Sequence, residues 1–577
     1  MNEILNKLVD GGLVDARAVQ EIVARVGEGK PLDEAVLGEV EDDSGVLAMF
    51  AAKLGYAFKE LTGFDADLEL VGKCPAKVLM RHGIFPLRVV DGCVEVATSR
   101  VSDRRGLDEL QLVTGMRCVP VLVGREQIDL QLKGTLGVGA DTVQALVTDA
   151  DQDEAITVIQ DEDEGEIDLS DGAGDASIIK FVNQILAEAI GARATDVHFE
   201  PFEKELVVRY RIDGVLQAAQ IPAEVKRFQP AIVSRLKILS HLDIAEKRLP
   251  QDGRIRLKIH GKEIDVRVSV IPMLYGEAVV LRILDRNTTL MGLGQLGIAE
   301  DDMHRVDEVL SLPHGIMLVT GPTGSGKTTT LYAALSRINN EDRKIVTIED
   351  PIEYQLHGVN QIQVATRAGL TFAKGLRAIL RHDPDVILIG EIRDGETAQI
   401  AVQASLTGHM VFSTLHTNDA PSALTRLVDM GVEPYLVASS LEAVLAQRLV
   451  RVNCPNCKRE YEVKDRDALA ERLDFDLPSR LYRGEGCRHC KGTGFRGRTV
   501  ICEMMAINES VRRMILENAS ASELRRVAEE VGLRSLREDG FRHVVAGRTT
   551  IEEVLRVTKD ERDLTQLVSP LASDGGR

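Results

Sequence analysis

The residues with the clearest potential for chemistry form a short glycine-rich segment in the second half of the chain. They fit the pattern G-x-x-x-x-G-K-[ST] with one further threonine, and comprise Gly321, Pro322, Thr323, Gly324, Ser325, Gly326, Lys327, Thr328 and Thr329. In such a loop the glycines turn backbone N–H groups toward nucleotide phosphates. Lys327 can reach the β- and γ-phosphates, and the Thr328 hydroxyl can bind Mg²⁺. The segment therefore predicts a site for ATP and Mg²⁺.

The flanking sequence supports this interpretation, because a phosphate loop needs a strand before it and a helix after it. Residues 316–319 are continuously apolar, as expected of a buried parallel strand. Residues 329–337 have helical character, and the amino end of a helix adds partial positive charge near the phosphates. A chance glycine-rich turn is the alternative, and the strand–loop–helix context argues against it.

Acidic residues and a histidine follow three further apolar strands. They are Glu349 and Glu353 after 345–348, Glu391 after 386–389, and His416 after 411–415. Since open parallel sheets bind ligands at the carboxyl ends of their strands, we expect these side chains near the phosphate loop. A standard Walker B strand carries its acid directly after the apolar run, whereas here Gly390 intervenes. Each acid alone is as easily a cap or a surface charge, but together with the loop they predict a nucleotide hydrolase.

Four of the eight cysteines form two C-x-x-C pairs late in the chain, Cys454 with Cys457 and Cys487 with Cys490. Two such pairs can supply four thiolates to one tetrahedral zinc ion, and a site closed in this way is structural. His489, inside the second pair, is an alternative ligand. Redox-active pairs are a second interpretation. A zinc ribbon that binds nucleic acid is a third, although no aromatic platform accompanies the cysteines.

The composition limits the classes of function. Of the 577 residues, 70 are Lys or Arg and 90 are Asp or Glu, so the formal net charge is −20. This charge argues against a general nucleic-acid-binding protein. We see no apolar run of membrane-spanning length and no secretory signal in the first residues. The expectation is a protein of a reducing compartment, without a transmembrane span.

Six motifs together resemble a known family. They are 194–201, 248–254, the phosphate loop, the acidic segment 349–353, 390–394 and the histidine-containing segment 407–418. The set is similar to the ATPases of type II secretion and type IV pilus assembly, and within that family to the general secretion pathway E branch. The resemblance covers about residues 176–557 and, more loosely, the first domain.

The resemblance implies an α/β fold with a RecA-like C-terminal ATPase domain, a preceding PAS-like α+β domain, a zinc-binding insertion and a small α+β N-terminal domain. Composition helps to place one boundary, since residues 149–175 contain many acids and no Lys or Arg. The predicted parts are an N-terminal docking domain (1–145), an acidic flexible linker (146–175), a second α+β domain that closes on nucleotide (176–287), the ATPase core (288–450), a tetracysteine zinc subdomain (451–500), a C-terminal helical subdomain (501–565) and a disordered tail (566–577).

The resemblance also implies roles for individual residues. Glu353 matches the carboxylate that orients water, with Glu349 as the alternative. Glu391 matches an atypical Walker B acid that acts on Mg²⁺ or its waters. His409 and His416 match a histidine box that senses the γ-phosphate or a neighbouring lobe.

Two arginines of the second domain, Arg267 and Arg282, match arginines that close onto the nucleotide like arginine fingers. A guanidinium suits this role because it stays charged and binds phosphate oxygens through two hydrogen bonds. For Arg267, on the polar face of an alternating strand, a simple surface charge is the alternative.

The implied function is that of a hexameric cytoplasmic ATPase that couples ATP hydrolysis to pseudopilus assembly in type II protein secretion. The two cysteine pairs are typical of secretion and pilus-extension members and not of retraction members. A pilus-extension ATPase is the alternative within the family, and a nucleic-acid translocase or a non-hydrolysing scaffold are alternatives of other classes. The implied partners are further copies of the chain and inner-membrane secretion platform proteins bound through the N-terminal domain. No nucleic acid is expected, and membrane association is peripheral.

Overall fold

The computed structural model describes most of the chain and divides it into two compact units, Met1–Asn287 and Thr288–Arg577. The described residues are 18–27, 31–40, 43–61, 64–136, 173–259, 262–285 and 291–558, together with 157–158, Leu5, Leu8, Val9 and Val14. Each unit has its own sheets and its own apolar cores.

The first part of the first unit is a four-stranded sheet with helices around it. Its strands are β1 (Ala57–Phe58), β2 (Ile84–Val90), β3 (Cys93–Thr98) and β4 (Arg117–Leu122). The spatial order is β1-β4-β3-β2, and only β2 is antiparallel to its neighbour. The helices are α1 (Ala18–Gly27), α2 (Leu32–Leu37), α3 (Ser44–Leu54), α4 (Leu68–Gly72), α5 (Ala76–His82), α6 (Arg105–Thr114) and α7 (Arg125–Leu136). Asp91 and Gly92 join β2 to β3 with positive φ at both residues, as a two-residue hairpin loop requires.

A seven-stranded antiparallel sheet forms the rest of the first unit. Its strands are β5 (Thr157–Val158), β6 (Ala194–Pro201), β7 (Leu206–Ile212), β8 (Val215–Ala218), β9 (Gln251–Ile259), β10 (Lys262–Met273) and β11 (Gly276–Asp285). The spatial order is β5-β9-β10-β11-β6-β7-β8. Helices α8 (Ala173–Gly191) and α9 (Gln229–Leu239) pack against it. Phe181 of α8 and Leu236 of α9 join alternate strand residues such as Val197 and Val266 in one core.

The second unit is built on another seven-stranded sheet, ordered β14-β13-β15-β16-β12-β17-β20. The strands of the second unit are β12 (Gly315–Thr320), β13 (Ile345–Glu349), β14 (Asn360–Gln363), β15 (Val386–Ile389), β16 (Met410–Leu415), β17 (Leu441–Asn453), β18 (Lys458–Glu462), β19 (Arg480–Gly484) and β20 (Phe495–Ala506). All neighbours in the large sheet are parallel except β17 and β20. Strands β18 and β19 form a separate antiparallel pair.

Helices cover both faces of this parallel sheet. The helices of the second unit are α10 (Glu300–Leu310), α11 (Lys327–Ile338), α12 (Phe372–Ile379), α13 (Gly395–Leu406), α14 (Pro421–Asp429), α15 (Pro434–Ser440), α16 (Arg466–Leu473), α17 (Glu509–Leu516), α18 (Ala521–Glu530), α19 (Leu536–Val545) and α20 (Ile551–Val557). Alternate strand residues enter two different cores. Leu318 and Ile348 lie in one core, and Met317 and Phe412 lie in the other. Burial on both faces explains why the strands are apolar without interruption.

The predicted mixed α/β architecture is confirmed, but some of the predicted domain boundaries fall inside helices or strands. Residues 501–506, expected to begin a helical subdomain, form the second half of β20, because the apolar run continues there and pairs with β17. The predicted linker 146–175 lies outside the described residues except for β5 and the start of α8 at Ala173. The predicted tail 566–577 lies wholly outside them. No described helix has both the length and the apolar character needed to cross a membrane.

Candidate active site

The glycine-rich segment connects the end of β12 at Thr320 to the start of α11 at Lys327. Gly321 and Gly326 have φ angles of +148° and +88°. A Cβ on Gly321 would lie 2.6 Å from the carbonyl oxygen of Gln447, so this position accepts glycine alone. The backbone therefore turns sharply from strand to helix, as a phosphate-binding loop must.

The ammonium of Lys327 contacts the loop itself. Its Nζ donates to the carbonyl oxygens of Gly321 at 2.8 Å and Pro322 at 3.1 Å. Burial lowers the pKa of Lys327, the carboxylate of Glu391 acts to raise it, and the guanidinium of Arg448 lowers it further. An acid, Glu391, and a second cation, Arg448, therefore lie within electrostatic reach of Lys327.

Glu391 is the acid that follows β15, and its largely buried carboxylate has two basic neighbours. Its Oε1 accepts a hydrogen bond from Arg393 Nη2 at 2.5 Å, and its Oε2 lies 3.3 Å from His416 Nε2. Burial acts to raise the pKa of Glu391, but Arg393 and His416 leave it below its ordinary value. The carboxylate is therefore ionised at neutral pH, in the state that attracts Mg²⁺ or its bound waters.

The two histidines of the predicted histidine box lie at opposite ends of β16. Strands β12 and β16 pair in parallel with Thr320 opposite Leu415, so His416 follows at the same edge as the phosphate loop. His409 precedes the strand, and its Nδ1 lies 2.8 Å from the carbonyl oxygen of Ala404. Six strand residues separate the histidines, a length of roughly 20 Å. The structure therefore does not bring His409 to the phosphate loop of its own chain, and its contact with nucleotide stays a prediction.

The two candidate catalytic acids of the acidic segment have different surroundings. Glu349, at the end of β13, is buried and accepts hydrogen bonds from the Tyr332 hydroxyl, from Thr347 Oγ1 at 2.6 Å and from Gln361 Nε2 at 3.1 Å. A carboxylate occupied in this way has little capacity left to hold a reacting water. Glu353 lies on the loop between β13 and β14 and is only partly buried.

Gln447 and Arg448 of β17 contact this site, and no sequence motif pointed to them. Gln447 is fully buried, and its Nε2 donates to the carbonyl oxygen of Ser325 at 2.8 Å. Arg448 Nη2 donates to the carbonyl oxygen and the Oδ1 of Asn418, at 3.0 and 3.1 Å. The available signal was a Gln-Arg pair within the otherwise apolar stretch 443–450, because a buried polar side chain needs a partner.

Arg267 and Arg282 belong to the first unit, where they lie opposite each other on β10 and β11. Arg254 of β9 lies opposite Arg267, and Asp196 of β6 lies opposite Arg282. Arg282 Nε donates to Asp196 Oδ1 at 3.0 Å. The four residues therefore form one charged row across four adjacent strands.

The fold brings the four cysteines together, with all four Sγ atoms within 4.8 Å of one another. The Sγ atoms of Cys454 and Cys487, and of Cys457 and Cys490, are each 3.8 Å apart, and none of the four forms a disulfide. Tetrahedral Zn–S bonds of about 2.3 Å imply S···S separations of about 3.8 Å. The donor set therefore fits zinc, and the exposed side chain of His489 is not part of it.

A phosphate loop at the carboxyl edge of a parallel sheet, with Lys327, Glu391 and His416 at that edge, defines a P-loop ATPase. Comparison with known proteins identifies the family. The sequence model of the type II/IV secretion system protein family matches residues 171–556, and the chain belongs to this family. An MshEN domain matches residues 54–137.

Individual relatives are similar over most of their length. The type II secretion system protein E of Dickeya dadantii (strain 3937) is 49% identical over 453 residues, which cover 78% of this chain and 90% of the relative. The type IV pilus assembly ATPase PilB of Myxococcus xanthus (strain DK1622) is 42% identical over 528 residues, which cover 90% of this chain and 92% of the relative. The crystal structure of the pilus retraction motor PilT with bound ADP aligns with a TM-score of 0.43 and 26% identity, over 66% of this chain and 97% of that one.

Proposed function

We propose that this protein hydrolyses ATP to drive assembly of a pseudopilus in type II protein secretion. The observation that carries the proposal is the convergence of Lys327, Glu391 and His416 beside the phosphate loop. Similarity to several type II secretion system proteins E favours the secretion branch over pilus extension.

The loop residues from Gly321 to Thr329 hold the triphosphate of ATP. Backbone N–H groups and the amino end of α11 face the β- and γ-phosphates. Lys327 exchanges the loop carbonyl oxygens for phosphate oxygens, which gives its partly buried charge an anionic partner. The Thr328 hydroxyl and the ionised Glu391 suit a Mg²⁺ ion, which when bound neutralises charge on the phosphates.

Glu353 orients the attacking water. The water oxygen bonds to the γ-phosphorus while the bond from phosphorus to the oxygen bridging the β- and γ-phosphates breaks and ADP leaves; Glu353 accepts the hydrogen bond of the water and then its proton. Glu349 is the weaker candidate, because Tyr332, Thr347 and Gln361 already occupy its carboxylate. His416, held beside Glu391, is placed to sense whether the γ-phosphate is present.

Arg267 and Arg282 supply positive charge to the transition state when the first unit closes on nucleotide. The row that they form with Arg254 presents guanidinium groups on adjacent strands, a suitable spacing for several phosphate oxygens. The partner Asp196 holds Arg282 in that row. For His409 we favour the second predicted role of the histidine box, contact with a neighbouring lobe, because a full strand separates it from the edge of the phosphate loop.

Zinc bound by Cys454, Cys457, Cys487 and Cys490 stabilises the segment between β17 and β20. The S···S separations of 3.8 Å support a tetrahedral metal in preference to redox-active cysteines. Cys490 Sγ also accepts hydrogen bonds from the N–H groups of Cys487 and Gly494 at 3.1 and 3.2 Å, as a metal-bound thiolate does.

In the cell we expect a cytoplasmic hexamer bound peripherally to the inner membrane. The N-terminal domain, which includes the segment similar to an MshEN domain, is the proposed docking domain for secretion platform proteins. No nucleic acid takes part in this function, in keeping with the net charge of −20.

The decisive experiment measures phosphate release from ATP in the presence of Mg²⁺. The wild type should turn over ATP, and Lys327→Ala should lose measurable activity because the charge on the β- and γ-phosphates is gone. Lys374→Ala, which removes an exposed lysine of α12, is the matched control and should keep wild-type activity. Normal turnover by Lys327→Ala would contradict the ATPase site. Strong stimulation of turnover by DNA would instead favour a nucleic-acid translocase.

A further inference from the structure

We propose that Tyr332 and Glu349 are positioning residues for Glu353: they fix the loop that carries Glu353 to the helix that begins at the phosphate loop. This inference rests on the proposed role of Glu353 as the residue that orients water. Tyr332 lies on α11, five residues after Lys327, and is fully buried.

The Tyr332 hydroxyl joins α11 to the residues that hold the loop of Glu353. It donates a hydrogen bond to Oε2 of Glu349, and its oxygen accepts one at 3.4 Å from Gln361 Nε2, the amide that also donates to the carbonyl oxygen of Tyr354, next to Glu353. Burial, together with the Glu349 carboxylate, raises the pKa of Tyr332, so the hydroxyl keeps its proton and remains a donor at physiological pH. The Tyr332 hydroxyl therefore connects the phosphate-loop helix, through Gln361, to the main chain next to the proposed catalytic acid.

Gln361 of β14 holds the far side of the same loop. Its Nε2 donates to Glu349 Oε1 at 3.1 Å and to the carbonyl oxygen of Tyr354 at 3.2 Å, while its Oε1 accepts from the N–H of Leu356 at 2.8 Å. The residues immediately after Glu353 are thus tied to the same buried carboxylate that receives the Tyr332 hydroxyl.

A second contact between the helix and the loop involves Tyr354. Its ring packs edge-on against that of Tyr332, with centroids 4.7 Å apart, and Thr329, at the start of α11, is near enough to its hydroxyl to act against the rise that burial causes in the pKa of Tyr354. Thr329 directly follows the proposed Mg²⁺ ligand Thr328. The loop that carries Glu353 therefore packs against α11, the helix whose first turn is proposed to bind the phosphates.

The chemistry of Glu349 indicates that this arrangement serves position. A buried carboxylate is unfavourable unless it is fully hydrogen-bonded, and here the donors come from α11, β13 and β14. An apolar residue at the end of β13 would avoid the cost of burying a carboxylate, but it could not join three elements at fixed geometry. A displacement of about 1 Å in a catalytic group is enough to lower a rate substantially.

The test is the substitution Tyr332→Phe, which removes one oxygen and keeps the ring. We expect kcat for ATP hydrolysis to fall roughly tenfold or more, with the KM for ATP and the affinity for a fluorescent ATP analogue changed less than twofold. Gln361→Met, which releases the other side of the loop, should act in the same direction. A loss of stability alone would lower the fraction of active protein and the thermal midpoint and leave kcat per bound nucleotide unchanged.

Tyr210→Phe is the matched control, because Tyr210 is a buried tyrosine that donates to Glu188 Oε2 at 2.8 Å in the first unit. It should destabilise the protein by a similar amount and leave kcat within twofold of wild type. Wild-type kcat in Tyr332→Phe, or an equal loss of kcat in Tyr210→Phe, would overturn the inference.

A double-mutant cycle separates this inference from the proposed function. If Tyr332 acts through Glu353, adding Tyr332→Phe to Glu353→Gln should cause no further loss of residual turnover. Full additivity of the two losses would overturn the inference while leaving Glu353 as the catalytic acid. Near-normal turnover by Glu353→Gln alone would instead contradict the proposed role of Glu353.

Discussion

Gln447 Nε2 donates to the carbonyl oxygen of Ser325 at 2.8 Å, so a buried residue of β17 holds the phosphate loop from the neighbouring strand. The next residue, Arg448, donates to the carbonyl oxygen of Asn418, two residues beyond His416. One dipeptide therefore contacts both the phosphate loop and the segment that carries the histidine. Its geometry makes the loop shape dependent on a residue remote in sequence.

Substitution of Gln447 should weaken nucleotide binding. In Gln447→Leu the Ser325 carbonyl oxygen loses its donor in a buried site, a loss on the order of 1–3 kcal/mol. We expect the Kd for a fluorescent ATP analogue to rise about tenfold, since each 1.4 kcal/mol is a factor of ten. Gln399→Leu is a suitable control, because the exposed Gln399 donates to the carbonyl oxygen of Gly431 at 3.3 Å. Equal affinities for Gln447→Leu and wild type would show that the loop keeps its shape without this contact.

Metal analysis of the purified protein should find about one zinc ion per chain, because four thiolates complete one tetrahedral site. Cys457→Ser and Cys490→Ser should each release the metal and lower the thermal midpoint, since binding energy at such a site is folding energy. ATP-analogue binding should survive, because the phosphate loop is built from other strands. Cys93→Ser, in β3, serves as the control that keeps zinc. Protein purified without chelator that contains no zinc would refute the assignment.

Much of this site could be predicted from the sequence because strand, loop and helix are local. The apolar runs before Gly321, Glu349 and His416 place those residues at strand ends, and strand ends meet at one edge of a parallel sheet. The spacing of the two C-x-x-C pairs likewise predicted that the four cysteines lie together, as they do in the structure. Local patterns of this kind need no knowledge of distant contacts.

The features that the sequence did not indicate depend on contacts between distant segments. His409 shares a motif with His416, yet a full strand separates them, so membership of a motif did not imply proximity. The partners of Glu349 come from three elements, and no local pattern distinguishes a fully bonded carboxylate from a catalytic one. Gln447 acts on Ser325 across 122 residues of sequence. Such pairings follow from strand order, which the sequence alone leaves open.

The arginines of the first unit should matter more for turnover than for folding. Arg267→Ala or Arg282→Ala should lower kcat by a factor on the order of 10³, because a guanidinium near the γ-phosphate stabilises developing charge. Lysine at either position should rescue poorly, since an ammonium lacks the planar fork. Arg227→Ala, an exposed arginine of the same unit, is the control. The measurement is the steady-state rate of ATP hydrolysis at a series of protein concentrations. If either alanine variant keeps near-normal turnover at concentrations where the wild type is assembled, that arginine is a surface charge without a role in catalysis.

The pH dependence of stability should reveal a buried ion-pair cluster around Glu553. Its carboxylate is 3% exposed and accepts from Arg451 at 2.5 Å and Arg556 at 2.9 Å. Burial acts to raise the pKa of Glu553, but the two arginines leave it at about 2, below its ordinary value of 4.5. A depressed folded-state pKa gives stability that is fully present above the unfolded pKa and is lost as the pH falls through the folded one. The window of loss therefore runs from about pH 4.5 down to about pH 2.

Glu553→Gln should accordingly be destabilised at pH 7, by an amount on the order of 3 kcal/mol for a pKa shift of this size. Removal of the charge also leaves Arg451 and the half-exposed Arg556 without their shared anionic partner, which adds to the loss. Thermal midpoints of wild type and variant at pH 7 and pH 3 measure the effect, and the gap between them should narrow at pH 3, because this pH lies below the unfolded-state pKa and inside the window of loss. The neighbouring, exposed Glu552→Gln should show no gap at either pH. A gap of the same size at both values would mean that the cluster stabilises the fold through packing and hydrogen bonds independent of charge.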